Sequence, residues 1–137
     1  MPRTLLRVLP TLGVAPALHL LWVGLALGRR GSEVRADVEM YAGKTAHTST
    51  ADLTLRADAP SALRGWEIRR GTCERPGATF GSTDAYPALR VNREGKAAGK
   101  AAIDLAVPDS GDFHVVVTAS PTDRQRVLAC GNLVLED

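Results

Sequence analysis

From Thr48 to Ala57 the chain alternates: Ala51, Leu53, Leu55 and Ala57 fall on one side, and Thr50, Asp52, Thr54 and Arg56 on the other. A period of two means a strand with one buried and one wet face. The same period recurs along the chain. Val38 and Met40 alternate with Glu39 and Tyr41, and Trp66 and Ile68 with Glu67 and Arg69. Pro87 to Val91 predicts a further short strand, and from Ala98 to Val107 the residues Ala101, Ile103, Leu105 and Val107 line one face. Phe113, Val115, Val117 and Ala119 do the same between Phe113 and Ser120, where Val116 adds an apolar residue to the second face and predicts a central strand. Val127 to Glu136 reads as the final strand, with Gly131 marking a bulge.

Turn chemistry separates these runs, at Gly43-Lys44, Asp58-Ala59-Pro60-Ser61, Asn92-Arg93-Glu94-Gly95, Pro108-Asp109-Ser110-Gly111-Asp112 and Pro121-Thr122-Asp123. Gly71 to Tyr86 has no period and predicts a long loop, of the kind that is functional or tied down. No 3.6-residue pattern follows residue 36. About seven strands with frequent turns predict an all-β domain, a two-sheet β-sandwich.

The first 36 residues read differently. Arg3 and Arg7 form a positive segment, Leu18 to Gly28 is an apolar run, and Val34-Arg35-Ala36 offers short residues for a signal peptidase. This predicts a signal peptide over residues 1–36 and a mature domain over 37–137, secreted or periplasmic. The alternative is an uncleaved anchor, because Leu12 to Gly28 reaches the lower limit of a spanning helix. A membrane partner is expected only in that case.

The formal charge of +2 changes meaning with this cut. From Asp37 onward 12 basic and 14 acidic residues remain, so the domain carries no electrostatic footprint for nucleic acid. Cys73 and Cys130 are the only cysteines. In an exported chain they read as one disulfide; in a cytosolic chain the same pair would read as two buried thiols.

A strand entering Gly71-Thr72-Cys73, a Gly/Pro-rich loop, Tyr86-Pro87-Ala88-Leu89, the strand Phe113-His114-Val115-Val116-Val117 and then Leu128-Ala129-Cys130-Gly131-Asn132-Leu133 together resemble the copper/zinc superoxide dismutase-like sandwiches. Among these the likeness is greatest to small secreted bacterial domains, over residues 50 to 135. The resemblance implies a Greek-key sandwich with a Cys73–Cys130 disulfide. Its chemistry does not carry over. The two metal-binding histidines expected on the strand before the cysteine loop fall on Glu67 and Arg69, and a third falls on Thr118. The loop that would supply zinc ligands holds no histidine, and the anion-guiding arginine position is Val127, with Arg126 one place away.

Catalytic copper or zinc needs about three converging N or S ligands. After residue 36 only His47, in a polar turn, and His114, on the face opposite Phe113 and Val115, are available. His114 is expected as a surface or second-face side chain. Ser120, His114 and Asp123 have no nucleophile elbow around them. Trp66 is expected in the core. Arg69, Arg70 and Arg75 flank Cys73 and form a candidate recognition patch, against which Glu67 and Glu74 stand as ion-pair partners. The expectation is a non-enzymatic exported module without cofactor, binding an unidentified protein or small ligand through its loops. The alternative is a copper- or zinc-binding redox protein with a rearranged site around His47 and His114.

Overall fold

The computed structural model describes residues 19–136. These fold into ten antiparallel strands: β1 (Leu21–Gly28), β2 (Arg35–Ala42), β3 (Ser49–Arg56), β4 (Leu63–Gly71), β5 (Pro76–Thr79), β6 (Leu89–Arg90), β7 (Ala97–Ile103), β8 (Phe113–Ser120), β9 (Asp123–Asn132) and β10 (Val134–Glu136). The spatial order is β5-β4-β8-β9-β1-β2-β3-β7, with β10 also beside β1 and β6 beside β4. The sheet is curled, so that its two halves face each other. Gly99 on β7, at one end of that order, lies so close to β4 and β6 that a Cβ there would stand 2.9 Å from Trp66 Nε1 and 2.8 Å from Leu89 Cδ2. Only a residue without a side chain lets the two halves approach this far.

The alternating residues of the sequence fill the space inside the curl. Leu53, Leu55, Ile68, Val115 and Val117 are buried there, and Trp66 is fully covered as expected. Trp66 packs edge-on to Tyr86 at 5.1 Å and donates from Nε1 to Pro87 O at 2.9 Å. Trp22 meets Phe113 in the same way and donates to Pro108 O. Val116 is buried on the second face of β8, which makes β8 a central strand between β4 and β9.

Three expectations change. The segment Gly71–Tyr86 is more regular than its sequence, because Pro76–Thr79 pairs with β4 and Thr83–Ala85 forms a 3-10 turn. Phe80 and Tyr86 anchor it in the core, the Tyr86 hydroxyl donating to Phe80 O at 2.6 Å. Gly131 is not a bulge: the register shifts of β8 and β9 fall around Thr118 instead. Gly131 is required because β1 crosses it closely, and a Cβ would lie 2.1 Å from Leu25 O.

The third correction is the largest. Of the apolar run Leu18–Gly28, the described residues Leu21–Gly28 are a strand paired with β2 on one side and with β9 and β10 on the other. The proposed cut after Ala36 would fall inside β2 and remove β1 altogether. The sheet therefore runs across residue 37 and begins by Leu21. Among the described residues no helix is long and apolar enough to cross a membrane. The remainder of the predicted signal or anchor, residues 1–18, lies outside the described residues.

Candidate functional site

Antiparallel register places directly paired residues on the same face of a sheet. Gly65 pairs with Thr118, Glu67 with Val116 and Arg69 with His114. Glu67, Arg69, Thr118 and His114 therefore share the outer face of β4 and β8, opposite Trp66 and Val117. β9 adds Cys130 beside Val116 and Asn132 beside His114. The positions at which the dismutase resemblance expected metal ligands do come together, but they hold other chemistry.

Glu67 is buried at the centre of that face with 2% of its surface exposed. Its Oε2 accepts from Arg69 Nε at 2.7 Å and from Thr79 Oγ1 at 2.8 Å, and its Oε1 accepts from Arg124 Nη1 at 2.8 Å. Arg69 Nη2 also donates to Arg124 O at 2.7 Å, which ties β4 to β9 across β8. Burial alone would push the Glu67 carboxyl up. The hydrogen bonds from Arg69 and Thr79 and the charges of Arg69 and Arg124 outweigh it and hold the group below the usual carboxylate range. The result is a locked, ionised network.

A metal does not fit this arrangement. The carboxylate that could ligate it is saturated by three donors. The two guanidiniums beside it offer only donors and positive charge, which repel a cation. Among the described residues no three His, Cys, Asp or Glu side chains converge as a metal site, and His47 stands exposed in the turn between β2 and β3.

His114 corrects its expectation. It lies on the second face, as its place in the alternation predicts, but it is fully buried and not at the surface. The cause is the Cys73–Cys130 disulfide, formed with Cα atoms 6.1 Å apart, which carries the segment after β4 across the outer face of β8. That segment is further held by Asn132 Oδ1, which accepts from the Cys73 amide at 2.8 Å. His114 Nδ1 lies 2.9 Å from Gly71 O, while Nε2 is buried without a partner. With Nδ1 donating to the carbonyl, Nε2 presents an unused lone pair. Burial, and then the nearby charges of Arg69 and Arg29, push the imidazole below its ordinary value against the opposing pull of the Gly71 carbonyl and Glu67. It is a neutral, enclosed histidine.

The candidate patch Arg69, Arg70 and Arg75 does not converge. Arg69 is committed to Glu67. Arg70 points the other way and stacks over Phe80 and Phe113, at 5.3 and 5.9 Å from their centroids, covering one end of the core. Arg75 is exposed in the turn that leads into β5. Sequence reasoning missed Arg124, the third member of the buried network. It lies upstream of the strand expected from Val127, in a stretch with no hydrophobic alternation, and the shifted register that turns it towards Glu67 has no sequence signal.

Two of the surface grooves border candidate residues, one at the turn that holds His47 and one at Arg126. One of about 560 Å³ runs between the β2–β3 turn and β7, lined by Lys44, Thr48, Lys100 and Asp104 among others. The other, of about 450 Å³, is lined by Arg29, Arg30, Gln125, Arg126, Val127 and Leu128. Neither contains a nucleophile paired with a base. No model of a known protein family matches the chain, and comparison with curated proteins gives no match.

Proposed function

We propose that this chain is a non-enzymatic, exported binding or envelope-associated structural module, built on a copper/zinc superoxide dismutase-like Greek-key scaffold whose metal site is replaced by an ion network. The observation that carries this reading is the Glu67–Arg69–Arg124 cluster, in which Glu67 and Arg69 occupy two of the three positions where the resemblance expected ligands. A catalytic site holds reactive groups with free valence, whereas here the one carboxylate is hydrogen-bonded by both arginines and by Thr79. The connectivity supports the scaffold. The links β3–β4 and β7–β8 each cross from the half containing β1, β2, β3 and β7 to the half containing β5, β4, β8 and β9, the kind of long return that makes a Greek key.

The formed disulfide supports export, since such bonds persist in oxidising compartments. A cut compatible with the sheet lies before β1. Ala15-Pro16-Ala17 supplies small residues at the two positions that a signal peptidase reads.

The unpartnered His114 Nε2 gives the metal-binding alternative its one foothold. Calorimetric titration of the oxidised full chain with copper and with zinc decides between them, with His114→Ala and His47→Ala as controls. No stoichiometric uptake is expected. Submicromolar binding at one ion per chain, lost in either control, overturns the structural reading and restores redox chemistry.

A further inference from the structure

Strand β1 is apolar on both faces. Trp22 and Ala26 enter the core, while Val23, Leu25 and Leu27 point outward. Leu25 is 40% exposed and Leu27 50%, and Val134, paired with Val23 on the neighbouring β10, is 60% exposed. Three of the four exposed large hydrophobic side chains of the described residues thus form one ridge, and the fourth, Leu63, lies on a different strand. Scattered apolar residues need no explanation, but a continuous ridge on one face does.

The ridge is charged asymmetrically. Beyond Leu27 stand Arg29 and Arg30 in the turn after β1, with Arg126 of β9 in the same groove. At the opposite end Glu39 pairs with Val23 and Glu136 with Leu21. None of these five has an ion-pair partner within 4 Å among the described residues, whereas Asp37 is taken by Arg56, Asp52 by Lys100 and Glu67 by Arg69 and Arg124. Glu33 is the acidic exception at the basic end.

We infer that this face is the interface of a two-fold homodimer in which β1 packs antiparallel across β1 of a second copy. A two-fold axis through Leu25 sets Leu27 of each copy over Val23 of the other. At roughly 3.4 Å per residue, Arg29 and Leu21 each lie about 14 Å from Leu25 along the strand, on opposite sides of it. The same operation therefore brings the arginine end of one copy onto the Glu39 and Glu136 end of the other, twice. Self-complementarity of this kind is what an isologous interface requires. A bilayer surface fits less well, because anionic headgroups that suit Arg29 and Arg30 would repel Glu39 and Glu136.

The test is sedimentation velocity on the full chain across roughly 1 to 200 µM, the range of weak to moderate dimers. Concentration-dependent doubling of mass is expected. Leu25→Lys with Leu27→Lys should weaken it at least 30-fold, and Leu63→Lys less than threefold, with circular dichroism showing all variants folded. Charge reversal fixes the geometry. Arg29→Glu with Arg30→Glu should weaken self-association about tenfold, and Glu39→Arg with Glu136→Arg likewise. An equimolar mixture of the two should associate again, because each then meets the opposite charge. A monomer throughout the range, equal sensitivity to Leu63→Lys, no recovery on mixing, or a monomer that instead sediments with phosphatidylglycerol vesicles each overturns the inference.

Discussion

Replacing Glu67 by glutamine keeps the shape of the side chain and removes its charge. Its two oxygens accept three hydrogen bonds, from Arg69, Thr79 and Arg124. A glutamine has one oxygen and one NH₂, so on one side a donor faces a donor, and two guanidiniums lose their counter-charge. Breaking a buried pair by removing one partner costs about 3–5 kcal/mol. The arginine side chains are 16% and 24% exposed and regain some hydration, so about 2–3 kcal/mol is expected here. That corresponds to a fall of roughly 10 °C in Tm for a domain of this size.

Urea unfolding of both proteins at pH 7 measures the difference, and the pH dependence supplies its signature. The Glu67 carboxyl is held below its usual value, so its stabilisation is complete above about 4.5 and is lost as pH falls through the folded pKa, where the wild type takes up the proton that the neutral glutamine mimics. The two curves should converge in acid. Replacing all three members, as Glu67→Leu, Arg69→Met and Arg124→Met, should by contrast be close to neutral, since desolvation of the charges is also removed. A Glu67→Gln cost below about 0.5 kcal/mol, a cost constant with pH, or a triple variant less stable than the single one would refute this account of the network.

Three further outcomes are expected. Cys73→Ala with Cys130→Ala opens a loop closed across a sequence separation of 57 residues and should cost about 4 kcal/mol by the chain-entropy relation; equilibrium denaturation with and without reductant checks it. His114 is depressed in the folded state, so the unfolded chain binds its proton first and stability should begin to decline as pH drops below about 6.5; His114→Asn, which can still donate to Gly71 O, should flatten that part of the pH–stability curve. A chain beginning at Asp37 should be insoluble or unfolded by circular dichroism, whereas one beginning at Leu18 should fold, and the N-terminal mass of exported protein should map upstream of Leu21.

The strands from β2 to β4, and β8, are legible in the sequence because each has one face in the core and one in water, so burial writes an alternation directly into the chain. Trp66 and Ile68 against Glu67 and Arg69 is the plainest case. β1 misleads for the complementary reason. Trp22 and Ala26 face inward while Val23, Leu25 and Leu27 face outward, so no alternation survives, and an eight-residue strand looks like the apolar centre of a signal peptide. The Glu67–Arg69 pair is visible as nearby charges of opposite sign. Its burial is not, because the groups that close over it include Arg124 and Thr79, which are 57 and 12 residues from Glu67 in sequence. His114 falls on the correct face for the same local reason and in the wrong solvent environment for the same non-local one.

The placement of β1 also governs when the fold can form. Its partners on one side are β9 and β10, with Leu21 paired to Glu136 and Leu27 to Cys130, more than 100 residues later. During synthesis β1 and β2 can meet as soon as both emerge, but the second edge of β1 stays open until the last strands arrive. Pairing across so many residues raises the contact order and slows folding. Until then the chain exposes an apolar strand with an unpaired edge, the kind of surface on which partly folded chains associate.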